Sequence, residues 1–401
     1  FGEIGNGTTD DQLLPIKITN DTDWASVYEG FAHTITIKDN GTMWVWGLNQ
    51  WGQLGIGSTE DIHIPIQLGT DSDWRVAATG AGFTMAIKND NTLWGWGENG
   101  GNIGDGTETD RHSPIQIGNN TNWETVACGQ AHTVAIKQDG TLWAWGRNTQ
   151  GQLGIGTNTD TLLPHQIGSD TNWLSVAAGE NHTLALKTDG TLWAWGYNFC
   201  GQIGDGSLTD KNYPAQIGSD SDWIQVICGQ YRSSALKSDG TVWEWGSLRN
   251  PETGNIEYMT VPTNLRIGKW EGLAMGYDYV LAIKNDNTLW GWGDNGYGNL
   301  GIGSSEEMLW PTQVLCPPPL SVTDRTKENF AIYPNPAKQT ITIKSLGQGI
   351  ADEISILDIS GKVALKVFHT DQINIENLQS GIYLVKIASG NSSQIEKLIK
   401  I

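Results

Sequence analysis

The stretch Trp173-Leu-Ser-Val-Ala-Ala-Gly-Glu-Asn-His-Thr-Leu-Ala-Leu-Lys-Thr-Asp-Gly-Thr-Leu-Trp-Ala-Trp-Gly196 reads as three short strands and their turns. Trp173–Ala178 is the first strand. His182–Lys187 is the second, with Leu184 and Leu186 alternating toward one face. Asp189-Gly190 is a two-residue hairpin turn, where Gly accepts the positive φ of the primed turn types. Residues 191–196 form the third strand and place Trp193 and Trp195 on one face. A Gly-rich loop, Gly201-Gln-Ile-Gly-Asp-Gly206, then leads to a fourth strand at residues 213–217, whose Pro214 suits a strand end or edge.

This unit recurs. Trp24, Trp74, Trp123, Trp173, Trp223 and Trp270 open successive copies, and each is followed about 20 residues later by Trp-x-Trp-Gly. Six copies with three Trp each use 18 of the 20 tryptophans, leaving Trp51 and Trp310 outside the register. One unit cannot bury its aromatic face alone, because each Trp offers on the order of 150–250 Å². Stacking units in a ring hides those faces between neighbours and leaves only short edges. The expected architecture is an all-β propeller over residues 1–315.

Trp123-Glu-Thr-Val-Ala-Cys-Gly-Gln-Ala-His-Thr-Val-Ala-Ile-Lys-Gln-Asp-Gly-Thr-Leu-Trp-Ala-Trp-Gly-Arg-Asn-Thr-Gln-Gly-Gln-Leu-Gly154 resembles the regulator of chromosome condensation repeat. That family is seven-bladed. Its members include exchange factors, an ultraviolet photoreceptor and secreted β-lactamase inhibitors, so the resemblance implies a fold more firmly than a function. Residues 1–18 match only the tail of a further copy, and the expectation is a seven-bladed type truncated at its N-terminus, with six complete repeats; the alternative is six blades that close with a spare strand. The photoreceptors carry a Trp just after the Gly that ends the first strand; here that position holds Phe31, Ala81, Gln130, Glu180, Gln230 and Tyr277.

A linker is expected at residues 316–328, and the Trp register stops there. Residues 329–401 show short alternating strands, as in Ile341/Ile343, Ile354/Ile356 and Tyr383/Val385/Ile387, which suit a small β-sandwich. Tyr333, Pro334, Asn335 and Pro336, then Gly361 and Lys362, then Gly381 and Tyr383, and finally Lys397 stand in the order of the type A sorting domain of the type IX secretion system. The resemblance implies export from a Bacteroidetes-type Gram-negative cell, contact with the secretion machinery, and a secreted or outer-surface location. Such export begins with a signal peptide, and the chain opens at Phe1 without one, so a missing N-terminal part is expected.

Residues 317–401 carry 9 basic and 8 acidic residues, which leaves 15 basic and 36 acidic in residues 1–316, a net of −21. So acidic a surface repels phosphate backbones and argues against a nucleic-acid partner. No apolar run approaches the roughly 18 residues of a membrane helix, and no membrane insertion is expected. Cys128, Cys200, Cys228 and Cys316 show no zinc spacing and read as small buried thiols.

No nucleophile elbow, phosphate loop or two-His metal motif appears, and neither enzyme activity nor a cofactor is expected. His33, His132 and His182 recur in register, as structural hydrogen-bonders do and a catalytic His does not. The Asp-x-Asp-Trp segments at Asp21, Asp71 and Asp220 read as turn chemistry; no twelve-residue calcium loop follows them.

Strand parity puts the loops after strands one and three on one face, the top, and the Asp-Gly hairpins on the other. Bottom turns repeat from copy to copy, while the top loops vary and carry Phe31, Trp51, Arg147, Tyr197, Phe199, Tyr231, Arg232, Tyr277, Tyr279 and Tyr297. Aromatics and Arg dominate binding hot spots, so these are the candidate partner-binding residues; the alternative is that some plug the central channel. The partner is expected to be a protein or, alternatively, a polysaccharide, with an inhibitor module a further option. In the copy opening at Trp223, Ser247-Leu-Arg-Asn-Pro-Glu-Thr-Gly-Asn-Ile-Glu-Tyr258 replaces the Gly-Gln-Leu-Gly loop, as a specificity loop or by drift.

Overall fold

The computed structural model describes residues 1–266, 268–314, 330–345, 351–358, 362–389 and 392–401. It divides into two compact units, Phe1–Cys316 and Pro317–Ile401. The expected linker, Cys316 and Gly361 lie outside the described residues. Among the described residues no helix occurs, so none is long and apolar enough to cross a membrane.

The first unit is a β-propeller of six four-stranded blades. Blade 1 comprises β1 (Trp24–Glu29), β2 (His33–Lys38), β3 (Met43–Gly47) and β4 (Ile62–Gln67), paired antiparallel in that order. The pattern repeats as β5–β8 between Trp74 and Gln116, β9–β12 between Trp123 and Gln166, and β13–β16 between Trp173 and Gln216. Blade 5 is β17–β20 between Trp223 and Thr263, and blade 6 is β21–β24 between Gly272 and Gln313.

The core lies between blades. Ile35, Ile37, Met43 and Val45 of blade 1 pack against Trp74 and Trp96 of blade 2. The same union of one blade's aliphatics with the next blade's tryptophans recurs at the following four junctions. Within each blade the first Trp meets the first Trp of the third strand edge to face, and in blade 2 it meets both, Trp74 lying 6.1 and 5.8 Å from Trp94 and Trp96.

The junction between blades 6 and 1 is different. Ile283 is 44% exposed, while its counterparts Ile37, Ile87, Ile136, Leu186 and Leu236 are all buried. Residues 1–18 occupy this place. The Glu3 carbonyl accepts from Trp46 Nε1 at 2.7 Å and from Thr34 Oγ1 at 2.9 Å. The Gln53 carbonyl of blade 1 does the same for Trp96 and Thr84 of blade 2, both at 2.9 Å. Residues 1–7 therefore act as the loop of a preceding blade, as their sequence indicates. Leu13, whose carbonyl accepts from Gly303 N at 2.7 Å, stands where that blade's fourth strand would begin.

Two repeated devices reinforce the ring, one within each copy and one between blades. The Lys at or just after the end of each second strand lies over two tryptophans: Lys88 Nζ is 4.7 and 4.8 Å from the Trp74 and Trp94 ring centres. Its ammonium also meets Asp71 at 2.6 Å and Asp73 at 3.1 Å. The Asp-x-Asp segments are thus lysine clamps as well as turns, and an ammonium fills the space between their carboxylates. In blade 3 the clamp positions are Asn120 and Asn122, yet Lys137 still lies 3.8 Å from the Trp143 ring centre. Burial lowers the pKa of Lys137; Lys88 also suffers burial, but bonds to Asp71 and Asp73 outweigh it and raise its pKa.

The second device is a buried imidazole. His33, His132 and His182 place Nε2 at 3.1, 3.1 and 2.9 Å from the hydroxyls of Thr84, Thr183 and Ser233 in the next blade. Each hydroxyl already donates to a loop carbonyl, of Gln53, Gln152 or Gln202. It must therefore accept from the imidazole, so the neutral ring carries its proton on Nε2. Nδ1 is buried without a partner in all three. Each ring tucks under a Gly; a Cβ at Gly30 would stand 2.2 Å from His33 Cε1.

The second unit is a two-sheet sandwich. One sheet is β25 (Phe330–Tyr333), β26 (Thr340–Ser345) and β29 (Gln372–Asn374); the other runs β28 (Val363–Phe368), β27 (Glu353–Leu357), β30 (Gly381–Ser389) and β31 (Ser392–Lys400). Alternating residues, including Ile341, Ile343, Ile354, Ile356, Tyr383 and Val385, fill the space between them.

Candidate binding face

Ring contacts confirm the parity of the loops. Tyr197, from the loop after β15 (Leu192–Gly196), lies 6.3 Å from Tyr231, from the loop after β17 (Trp223–Cys228). On the opposite side, the Gly41 hairpin abuts the Asp-x-Asp turn of blade 2: Trp74 N donates to Gly41 O at 3.1 Å.

The top face carries an aromatic run across blades 4 and 5. Phe199 and Tyr197 stack at 6.3 Å with an interplanar angle of 12°, Tyr197 meets Tyr231, and Phe199 meets Tyr258 at 6.3 Å. A second pair joins blades 6 and 1, where Tyr277 and Phe31 pack edge to face at 6.3 Å. Glu180, in the blade 4 loop after β13 (Trp173–Ala178), connects the two groups, because it lies beside the hydroxyls of both Tyr231 and Tyr277. Burial and then the charge of Glu180 raise both phenols, Tyr277 to about 12. Phe31 is 67% exposed and Phe199 59%.

The other candidates separate. Trp51 rests on the blade 2 loop, where a Cβ at Gly82 would stand 2.8 Å from its ring. Arg147 and Tyr297 are exposed, and neither has a ring partner among the described residues. Arg232 and Tyr279 are not on the open face. They occupy the strand-start position that His33, His132 and His182 hold, and point between blades. Arg232 is buried and bonds Glu244 at 2.5 Å; the Tyr279 hydroxyl lies beside Glu29 of blade 1.

Sequence reasoning missed Glu180 and Tyr258. Tyr258 was written in the departure after Trp245. That stretch forms a long hairpin of β19 (Val242–Arg249) and β20 (Ile256–Thr263), which lifts Tyr258 to Phe199. The departure costs the loop carbonyl that would accept from Trp292. Glu244 replaces it: its carboxylate accepts from Trp292 Nε1 at 3.1 Å, Arg232 Nη2 at 2.5 Å and Arg266 Nε at 2.6 Å. Burial opposes the charge of Glu244, but Arg266 and Arg232 outweigh it and hold the carboxyl below its usual range.

Cys128, Cys200 and Cys228 are free thiols, and burial raises the pKa of each.

In the sandwich the landmarks meet. The Asn335 amide imitates a strand backbone, donating to Lys397 O at 2.6 Å and accepting from Ile399 N at 2.8 Å. Ala337 continues the pairing with Ile399 and Ile401. Pro334–Pro336 thus pin the terminal strand, on which Lys397 is exposed. Asp358 binds the Lys362 amide at 3.1 Å, and Tyr383 bonds Gln379 O at 3.0 Å. The side chain of Tyr333 lies outside the described residues. Replacing Asn335 with Ala removes two bonds worth about 1 kcal/mol each. Placed behind a signal peptide in a type IX-competent host, the full chain carrying N335A is expected to accumulate in the periplasm at the expense of the medium and surface, measured by fractionation and immunoblot.

These features define a two-part chain: a β-propeller of repeated four-stranded blades, followed by a small β-sandwich. Residues 125–329 match the RCC1-like domain, residues 40–87 and 90–136 the regulator of chromosome condensation (RCC1) repeat, and residues 331–401 the secretion system C-terminal sorting domain. The chain belongs to the RCC1-like propeller family and is a secreted or cell-surface protein of the type IX pathway. The crystal structure of human WBSCR16 matches with a TM-score of 0.69 at 24% identity, covering 76% of this chain and 86% of that one. Yeast RCC1 (Prp20), solved bound to Kap60, matches at 0.66 and 22% identity, covering 77% of each. A further structure of Prp20p from Saccharomyces cerevisiae, described with its binding to Gsp1p and histones, matches at 0.66 and 19%, covering 82% and 90%. At these identities the likeness is one of fold. No curated protein sequence matched the chain.

Proposed function

We propose that the protein is a binding protein, not an enzyme, that holds a macromolecular partner on the top face of its propeller outside the cell. The observation that carries this reading is the aromatic run Tyr231, Tyr197, Phe199 and Tyr258, contributed by two blades, with Phe199 and Tyr258 exposed and Tyr197 and Tyr231 half-buried. Packing the ring does not require it, since the blades already have their own tryptophan register. The extended hairpin and the buried Glu244 network support the same reading, because a compensated departure from the repeat is more than drift. The two propeller histidines nearest this face in blades 3 and 4, His132 and His182, are buried and bound to their neighbours, which leaves them no catalytic role.

The test is a pull-down from co-resident surface proteins beside a glycan array, with top and bottom variants compared. Alanine at Tyr197, Phe199, Tyr258 or Tyr277 is expected to leave the melting temperature unchanged. Each true hot spot weakens binding by about 2 kcal/mol or more. Asp139→Asn and Asp189→Asn on the bottom keep affinity within about two-fold, since Asn40 makes the same turn bonds in blade 1. Loss of binding from the bottom changes alone would refute the assignment of faces.

A further inference from the structure

Resting on that reading of the face, we infer that its partner is a polypeptide segment bearing Lys or Arg, with one cationic side chain seated on Glu180 between Tyr231 and Tyr277. Three observations lead there. The first is an unpaired charge: the Glu180 carboxylate, its Oε2 buried beside the hydroxyls of Tyr231 and Tyr277, has no cationic partner among the described residues. Asn181 Nδ2 approaches its other oxygen at 3.3 Å, a weak contact for a carboxylate that accepts several donors.

The second is the imbalance of charge around it. Among the described residues, Glu180, Asp278 and Asp294 make no ion pair, whereas the nearby bases are already committed. Arg232 is held by Glu244, and Arg249 meets Glu307 at 2.9 Å. Arg147, on the loop of blade 3, remains as an exposed base without an ion pair. The region lies on a unit whose residues 1–316 sum to −21, so a cation is drawn to it from a distance and an anion is repelled.

The third is the nature of the walls. Tyr231 and Tyr277 flank the carboxylate, with Phe31 behind Tyr277 and Tyr197 behind Tyr231. Phenol rings beside a carboxylate suit an ammonium or guanidinium, which gains from ring faces and from the charge together. The flanking Phe199 and Tyr258 are left to cover the aliphatic part of the segment. A neutral glycan would use the rings and leave Glu180 Oε2 without a counter-charge.

The experiment uses the full chain and fluorescein-labelled hexalysine, read by fluorescence anisotropy, with hexaglutamate and a neutral hexasaccharide as parallel probes. Glu180→Gln and Tyr277→Ala are compared with Asp189→Asn, which removes the same charge from the bottom face. Hexalysine is expected to bind, with affinity lowered about ten-fold or more by E180Q and by Y277A, and by less than about two-fold by D189N. Equal weakening by E180Q and D189N would mean that only the general field attracts the peptide, and overturns the site. Hexasaccharide binding that Tyr197→Ala abolishes and E180Q spares would keep the binding face and overturn the cationic partner. Binding of no probe to any form overturns this inference while the pull-down above still decides the face. If E180Q lowers the melting temperature, Y277A alone carries the comparison.

Discussion

Acidification from pH 7 to about 4.5 is expected to remove several kcal/mol of propeller stability, through the three imidazoles welded between blades. Burial holds His33 at about 4, and pushes His132 and His182 to about 3, against an ordinary value of 6.5. Below pH 6.5 the unfolded chain takes up three protons that the folded ring refuses. Stability is therefore intact above pH 6.5 and falls as pH drops, until the folded values are reached. Each group contributes about 1.4 kcal/mol per pH unit across that window. Three groups over two units give roughly 8 kcal/mol before partial opening relieves the burial. The fold contains its own control. Phe83 holds the same position in blade 2 and tucks under Gly80 as the imidazoles tuck under Gly30, Gly129 and Gly179. His132→Phe and His182→Phe should fold, leave a single hydroxyl lone pair without a donor at each junction, and flatten the melting temperature between pH 6.5 and 4.5. An unchanged slope in the double variant would place the acid sensitivity elsewhere, in the many carboxylates.

Much of this architecture was legible because tryptophan is rare and was written in a strict register. Trp-x-Trp-Gly sets the third strand, the opening Trp sets the first, and their spacing leaves room for little but a blade. The tail of a further copy at residues 1–18 was legible too, since Glu3, Gly5 and Gly7 keep the loop spacing and the structure uses them as a loop. The lysine clamp was less visible. A Lys ends the second strand in five copies, at 38, 88, 137, 187 and 237, and directly follows it at 284 in the last, but the partners of Lys88, Asp71 and Asp73, lie 17 and 15 residues earlier, across a turn. Read alone, those aspartates look only like turn formers. Arg232 and Tyr279 were placed on the wrong surface for a related reason. Parity assigns a loop to a face, but the first residue of the following strand points sideways into the junction, and the histidines at that register were the available warning. Glu180 and Tyr258 depend on contacts between different copies, which no pattern within one copy reveals.

The same logic of displacement explains Glu244, whose substitution is expected to be the most damaging single change in the propeller. The other blades place Val45, Gly95, Ala144, Ala194 or Gly291 between the paired tryptophans. A carboxylate there is tolerated because three donors converge on it: Arg232, Arg266 and Trp292. Among the described residues the guanidiniums otherwise donate to the carbonyls of Asp278 and Leu309, at 3.1 and 2.8 Å, and Arg266 lies 5.9 Å from the Trp292 ring centre. Glu244→Ala strands both cations in a buried site, at a cost of about 3–5 kcal/mol. Arg266→Ala alone leaves Glu244 with Arg232 and Trp292, and should cost less. If the loss in E244A is unpaired charge and not lost packing, removing the cations as well should recover most of it. Combining E244A with Arg232→His and Arg266→Leu restores blade-like residues at 232 and 244, and is expected to regain all but the about 1–3 kcal/mol of a Trp292 indole left without an acceptor. Thermal unfolding of the three variants decides the matter. A triple variant no more stable than E244A would show that the network shapes the hairpin by packing, and that its charges are incidental to holding blade 5 against blade 6.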